Sequence, residues 1–203
     1  MYRDAVIIVT SDHGEEFWEN GGTGHGWSLH QHQLKVPLIW KSPAFIQKDR
    51  KIDHPAGLID IYPTLLDSLG VPVPHELQGM SLVPMLQGGH YPARSFIAEA
   101  SHLKNQKCII KDGYAYLYNK YPPLGENLFD LNRFLYTWRS IFQSRVDALY
   151  DLENDPGEQN NIAGDYQKKT DDLKNELFQK LEGYTAQRLL FSPHRSRLDA
   201  KTI

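Results

Sequence analysis

The sequence predicts an α/β fold: part of a mixed sheet sandwiched by helices, then a small antiparallel sheet with a C-terminal helix. Residues 5–10, reading AVIIVT, form a β-branched apolar run typical of a central strand buried on both faces. Residues 57–69 place leucine and isoleucine at helical spacing, with Gly70 following as a C-cap. Asp112-Gly113 lies between two strand-like runs, which indicates a tight hairpin.

The remaining predicted elements follow in chain order. Residues 34–40 read LKVPLIW, and Pro37, which has no amide hydrogen to donate, puts this run at a sheet edge or a strand start. The stretch between the first two strands is polar and glycine-rich, which predicts a loop. Residues 119–147 are interpreted as a helical insertion. The later part of the chain is expected to contain four strands and a helix, over residues 95–100, 107–111, 114–118, 148–152 and 165–184.

A change of layer is predicted where the chain becomes rich in proline and glycine, over residues 71–94. We therefore divide the chain into an α/β part over residues 1–92 and a small α+β subdomain over residues 93–190. The last residues, 191–203, are predicted to be a loosely ordered tail.

Composition excludes several kinds of protein. The 203 residues are 40% hydrophobic, enough for a packed core, and the net charge of -3 comes from mixed signs without a basic stripe. We therefore expect no nucleic-acid partner. No apolar run approaches the roughly 20 residues that span a bilayer, so no membrane span is expected. Cys108 is the single cysteine, which rules out an intramolecular disulfide or a cysteine-based metal cluster.

Asp12 and His13 follow the first predicted strand directly. Ligands of open α/β sheets bind at the carboxyl ends of strands, so a site is expected there. A carboxylate and an imidazole on one turn can both face a divalent cation, and Gly14 allows the chain to turn tightly after them. The alternative from these residues alone is that Asp12 caps a following helix and His13 only packs.

A second group of histidines begins at Gly24-His25-Gly26. The two glycines let the backbone approach a small anion, and the imidazole of His25 suits a hydrogen bond to an anionic oxygen or a general acid at a leaving group. His30 and His32 are interpreted as exposed loop residues without a chemical role.

Residues 10–40, reading TSDHGEEFWENGGTGHGWSLHQHQLKVPLIW, resemble the metal-binding and substrate-loop segment of sulfatases, in the alkaline phosphatase superfamily. Two further stretches resemble the same family: DIYPTLLDSLGVPVPHELQGMSLVPML at residues 60–86 and ALYDLENDPGEQNNIA at residues 148–163. We assign both of these to structure. The resemblance covers residues 5–181 and is weakest over 119–147. It implies that residues 1–92 are the C-terminal portion of a catalytic domain.

The resemblance implies a metal-dependent sulfuric ester hydrolase. In it Asp12 and His13 bind a divalent metal, expected to be calcium, with manganese or magnesium as alternatives that a nitrogen ligand permits. His25 contacts the ester oxygen of the substrate as a catalytic and substrate-binding residue. A sulfated small molecule or glycan is the expected substrate. His30 and His32 depart from the family's usual tyrosine and acidic residue, which leaves the substrate preference open.

The family's nucleophile is a formylglycine made from cysteine or serine within C-x-P-x-R or S-x-P-x-R, and this sequence contains neither element. Cys108, in KCII, lacks the neighbouring proline and arginine and is expected to be a buried thiol. We therefore expect a fragment, inactive alone, whose N-terminal half carries the formylglycine. A first strand so close to Met1 supports the same expectation. Many enzymes of this family are exported, although no targeting segment is visible here.

Two other functions stay open. Phosphodiester or phosphonate monoester hydrolysis uses the same fold, and phosphoryl and sulfuryl groups have similar shapes. A non-catalytic, free-standing binding or structural protein is the third alternative. An apolar strand such as AVIIVT argues against it, because such a strand needs helices on both sides and neighbouring strands.

Overall fold

The computed structural model describes residues 3–26, 28–43, 46, 51–100, 105–120 and 147–190. Within them, the strands form two two-stranded sheets and one four-stranded sheet, and every pairing is antiparallel. Most of the predicted insertion, residues 121–146, and the predicted tail, residues 191–203, lie outside the described residues. The domain boundary predicted after residue 92 falls in the connection that precedes the four-stranded sheet, and it stays a prediction.

The first sheet pairs β1 (Ile7–Thr10) with β4 (Leu38–Lys41). β4 begins directly after Pro37, which confirms the predicted strand start, whereas Leu34 belongs to a short helix instead. The prediction that the first strand is buried on both faces is wrong for the described chain. Val9 is 51% exposed and its cross-strand partner Ile39 is 62% exposed, because β4 is the only described strand that pairs with β1.

The region predicted as a loop between these strands contains three short elements. β2 (Glu16–Phe17) and β3 (Thr23–Gly24) form a small hairpin, and α1 (Gln31–Leu34) follows. The hairpin turn uses left-handed backbone at Trp18 (φ 76°) and Gly21 (φ 80°). These elements are too short to give a periodic signal in the sequence, which explains why they were predicted as loop.

The predicted helix over 57–69 is confirmed, with its first turn tightened to a 3-10 helix. This turn covers Leu58–Asp60, and α2 covers Ile61–Ser68. Gly70 has φ 69°, its amide donates to Asp67 O (3.0 Å), and the Val71 amide donates to Leu66 O (2.9 Å). This is the Schellman pattern, in which a glycine in the left-handed region ends the helix. α3 (Val83–Leu86) lies in the connection that follows.

Asp60 shows why the 60–86 stretch belongs to structure. Its side chain is fully buried; one carboxylate oxygen accepts from the Gly57 amide (2.8 Å) and the other from the Met80 amide (2.9 Å). The Arg94 guanidinium completes the set as an ion-pair partner. This carboxylate therefore joins the start of the helix to the middle of the connection at Met80 and to its end at Arg94.

The four-stranded sheet has the order β5 (Phe96–Ala100), β6 (Asn105–Lys111), β7 (Tyr114–Lys120) and β8 (Ala148–Asp151), and its antiparallel pairing confirms the small antiparallel sheet that the sequence predicts. Its β6–β7 turn uses Asp112 (φ 50°) and Gly113 (φ 76°), the left-handed pair that a two-residue hairpin requires. The described strands agree with the predicted ones within two residues at each end, over Phe96–Ala100, Asn105–Lys111, Tyr114–Lys120 and Ala148–Asp151.

Both faces of this sheet are covered. α4 (Gln167–Leu190) packs Leu173 and Leu177 against one face. It runs six residues beyond the predicted end, because Gly183 is tolerated within the helix rather than ending it. The opposite face packs around Cys108 and includes Leu29, which is 5% exposed and precedes α1. No helix among the described residues has the length and apolarity needed to cross a membrane.

Candidate functional site

The metal-binding candidates lie on a turn at the carboxyl end of β1. The Ser11 hydroxyl donates to the carbonyl of His13 (2.6 Å), and the His13 amide donates to Asp12 Oδ1 (3.0 Å). These bonds turn the chain sharply and present the Asp12 side chain, 87% exposed, to the surface. The next element in the described chain is the strand β2, not a helix, so the helix-cap alternative for Asp12 is wrong.

The geometry of Asp12 and His13 fits a shared cation. Asp12 Oδ2 and His13 Nε2 are 3.7 Å apart. Two ligands at right angles, each about 2.0–2.6 Å from one cation, lie about 2.8–3.7 Å apart. His13 Nδ1 lies 2.8 Å from the carbonyl oxygen of Gly14. Because a carbonyl only accepts, the proton belongs on Nδ1, and Nε2 can present a lone pair towards Asp12.

Asp12 is also charged where a cation would need it. The pKa of Asp12 lies below its ordinary value, mainly because its carboxylate accepts a hydrogen bond from its own amide. The nearby His13 imidazole and amide lower this pKa further. Within the described ranges, no group of three or more His, Cys, Asp or Glu side chains could hold a metal. The described residues therefore offer two protein ligands for a cation.

His25 lies against this turn. Its ring stacks on His13 with centroids 4.1 Å apart and an interplanar angle of 27°. Its Nδ1 is 3.0 Å from Glu15 Oε2, so the carboxylate accepts and Nδ1 carries the proton. The structure thus brings the three predicted residues together. Glu15 was missed by sequence reasoning, although its place two residues after His13 in a site-bearing turn was a usable signal.

Beneath the His25 loop lies a buried polar network that sequence reasoning also missed. Glu16, Ser28 and Gln33 are 2%, 4% and 5% exposed. Glu16 Oε2 accepts from Ser28 Oγ (3.1 Å) and Gln33 Nε2 (3.2 Å), and Gln33 Nε2 also lies 2.9 Å from Ser28 Oγ. Three polar side chains spread over 17 residues give no pattern that marks them as a buried cluster, so only the folded structure reveals it.

The interpretation of His30 as an exposed loop residue is wrong. Its side chain is 13% exposed, and Nδ1 lies 3.0 Å from Oε2 of the fully buried Glu158 side chain. The same oxygen accepts from the Gln31 amide (2.7 Å). His32 is half-buried beside it, with ring centroids 6.0 Å apart. Glu158 belongs to the 148–163 stretch, so two of the sulfatase-like segments meet at a buried hydrogen bond.

Cys108 takes no part in this site. It lies in β6 and is fully buried. Burial raises the pKa of its thiol, and the charge of Glu158 adds a smaller effect in the same direction. Such a thiol is neither accessible nor ionised, as expected for a structural cysteine. Asp12, His13 and His25 instead border a wide, open groove that is also lined by β4, β5, residues 51–59 and the C-terminal helix.

Comparison with known proteins gives one family match. Residues 24–187 match the family described as N-sulphoglucosamine sulphohydrolase, C-terminal. Arylsulfatase K of Bos taurus is 28% identical over 181 residues, covering 87% of this chain and 31% of that protein. The Delta 4,5-hexuronate-2-O-sulfatase of Bacteroides thetaiotaomicron is 26% identical over 165 residues, covering 80% of this chain and 31% of that protein. The chain therefore spans less than a third of the length of these relatives.

Solved structures give the same picture. A protein in complex with its substrate D-glucosamine-2-N,6-O-disulfate matches with a TM-score of 0.57 and 26% identity, over 94% of this chain and 36% of that one. The phosphonate monoester hydrolase of Agrobacterium radiobacter matches with a TM-score of 0.56 and 24% identity, over 93% of this chain and 36% of that one. The second similarity shows a shared fold alone.

Proposed function

The chain belongs to the N-sulphoglucosamine sulphohydrolase C-terminal family, and from that premise we propose that it carries part of the active site of a metal-dependent sulfatase. The matched relatives are sulfatases, and the chain covers 31% of their length. The proposal assigns metal binding to Asp12 and His13 and catalysis to His25. The nucleophile, a formylglycine, is assigned to a segment outside this chain.

One observation carries the proposal: His25 stacks on His13, centroids 4.1 Å apart, beside the exposed Asp12 carboxylate. Asp12 and His13 would hold a divalent cation, expected to be calcium, which would stabilise charge on the sulfuryl oxygens and orient the nucleophile. Glu15 holds the Nδ1 proton of His25, which directs Nε2 of that ring outward. Protonated His25 could then donate from Nε2 to the ester oxygen as the alcohol leaves.

Sulfated sugars are the proposed substrates. One relative is named for a hexuronate 2-O-sulfate, and one similar structure holds a sulfated glucosamine. The groove beside His25 is open, which suits a ring substituent larger than a simple anion. Sulfate attached to a uronate or glucosamine ring is therefore the substrate class to test first.

The test is hydrolysis of an aryl sulfate by this chain and by a polypeptide extended upstream through a C-x-P-x-R element. We expect turnover only in the extended, formylglycine-bearing form. His25→Ala should lower its turnover by about 10²-fold or more, because a general acid contributes on that scale. His75→Ala is the matched control, since the His75 side chain is 88% exposed and, among the described residues, contacts its neighbour Glu76. Equal rates for the two variants would rule out the role given to His25.

Phosphonate monoester hydrolysis remains the second candidate, because a phosphonate monoester hydrolase shares the fold. Assaying the extended protein on an aryl phosphonate monoester separates the two. Turnover of the phosphonate ester without turnover of sulfate esters would support this second candidate. A folded, formylglycine-bearing protein inert on both would favour the non-catalytic alternative.

A further inference from the structure

We infer that Gln33 is a positioning residue that holds the Asp12-His13 turn and the His25 loop against each other. The inference rests on the proposed function of those residues. No sequence motif singles out Gln33, and the residue touches neither the proposed metal ligands nor His25 by its side chain. Its importance lies in what its hydrogen bonds connect.

The side chain of Gln33 holds the His25 loop. Its Oε1 accepts from the amide of Gly26, the residue directly after His25, at 2.9 Å. Its Nε2 donates to Glu16 Oε2 (3.2 Å) and Ser28 Oγ (2.9 Å). The Nε2 end of the Gln33 side chain is therefore held by a buried carboxylate and a buried hydroxyl, and its Oε1 end holds the His25 loop at Gly26.

The backbone of Gln33 holds the other half of the site. Its carbonyl oxygen accepts from the amide of Gly14, the residue directly after His13, at 2.9 Å. This approach is close enough that a Cβ at Gly14 would lie 1.8 Å from the carbonyl oxygen of His32. One residue thus bonds to the neighbours of both histidines, and those histidines stack with centroids 4.1 Å apart.

Glutamine is the residue type that these contacts require. The position needs an acceptor for Gly26 and a donor for Glu16 on one side chain, and the primary amide provides both. A glutamate here would place a second carboxylate against Glu16, and an aliphatic residue would leave the Gly26 amide without this acceptor. The backbone of Gln33 is itself anchored, because the α1 that carries it is tied at Gln31 to the buried Glu158.

The test compares Gln33→Met with Gln106→Met in the 203-residue chain. Gln106 is the matched control, because it is also 5% exposed and its Nε2 also donates to a side chain, but it lies in β6. Amide hydrogen exchange is measured at Gly26 and Gly14. In Gln33→Met, exchange at Gly26 should accelerate about tenfold, since one hydrogen bond is lost. Gly14 should change little, because its acceptor is a backbone carbonyl that the substitution keeps.

A second readout reports on the site itself. Mn²⁺ serves as the probe, because its paramagnetism broadens the His13 ring signals. Gln33→Met should weaken Mn²⁺ binding about tenfold, the scale on which residues behind metal ligands act. Gln106→Met should leave it unchanged. Equal effects of the two variants on Mn²⁺ binding, or unchanged exchange at Gly26, would overturn the inference.

The two readouts also separate this inference from the proposed function. If the unsubstituted chain binds no Mn²⁺, the metal role of Asp12 and His13 fails, and the exchange comparison alone decides whether Gln33 holds the loop. If Gln33→Met does not fold, Ser28→Ala takes its place. That variant removes one support of the Gln33 amide and should accelerate exchange at Gly26 about threefold, and no acceleration would count against the inference.

Discussion

Replacing Glu158 by alanine tests how strongly the C-terminal turn holds the site-bearing segment. The Glu158 side chain is fully buried, and its Oε2 accepts from His30 Nδ1 (3.0 Å) and from the Gln31 amide (2.7 Å). Two hydrogen bonds to a charged acceptor, each worth about 1.5–3 kcal/mol, sum to about 3–6 kcal/mol. Leaving the buried His30 ring and the Gln31 amide without their acceptor costs about 1–3 kcal/mol for each group, which is of the same size.

We therefore expect Glu158→Ala to lower the free energy of unfolding by about 3–5 kcal/mol. For a chain of this length, such a loss lowers the melting temperature by roughly 6–20 °C. Urea unfolding followed by tryptophan fluorescence and circular dichroism measures it. Glu153→Ala is the matched control, because Glu153 is an exposed carboxylate five positions earlier in the same segment.

A double-mutant cycle with His30→Ala isolates the pair. Because the two side chains contact each other, the combined loss should fall short of the sum of the single losses by about 0.5–3 kcal/mol. The reasoning is refuted if Glu158→Ala costs less than about 1 kcal/mol, the net value of one ordinary hydrogen bond. Strict additivity with His30→Ala would refute the pairing itself.

Two further predictions concern charge and backbone. Burial raises the pKa of Glu176, but hydrogen bonds from Lys111 and Ser95 outweigh it and hold that pKa below 4.5. The pair therefore stabilises the fold above pH 4.5, and this stabilisation is lost as pH falls through the depressed pKa. In Lys111→Met, an NMR titration should show the Glu176 pKa rising, whereas Lys107→Met, at a lysine that pairs with another glutamate, should leave it unchanged. Gly70→Ala should lower the free energy of unfolding by about 1 kcal/mol, because φ is 69° at this position. Gly183→Ala should raise it by about 1 kcal/mol, because Gly183 lies in helical backbone with open space around it. Denaturant titrations measure both changes.

The fold was largely predictable from the sequence where local chemistry determines it. The helix ended by Gly70 and the hairpin at Asp112-Gly113 follow from hydrophobic periodicity and turn residues. The alkaline-phosphatase-like α/β class follows from the resemblance to sulfatases, and the similar solved structures confirm it. The errors have physical causes. The exposure of Val9 depends on which strands and helices surround β1, and this is not local to Val9. α4 continues through Gly183 because one glycine costs a helix only about 1 kcal/mol.

The grouping of the candidate site residues was predictable, but the contacts that support them were not. Asp12 and His13 were chosen by residue type and strand-end position, and His25 by its flanking glycines and the resemblance to sulfatases; the structure brings the three together. Their supports are contacts between distant positions: Glu158 reaches His30 across 128 positions. A single sequence carries no record of such pairs, because each partner is a common polar residue with no periodic signature. The mistaken interpretation of His30 has the same origin.

The solvent exposure of Asp60, Glu158 and Asp12 distinguishes structural carboxylates from the candidate metal ligand. Asp60 and Glu158 have side chains with no exposed surface, and each accepts hydrogen bonds from its own chain. A substrate or a cation in solution does not reach such a buried carboxylate, so we assign both residues to structure. Asp12 is the opposite case, with 87% of its side chain exposed and a depressed pKa. A carboxylate that stays charged and open to solvent at the end of a strand is accessible to a cation, which supports the metal role that we propose for Asp12.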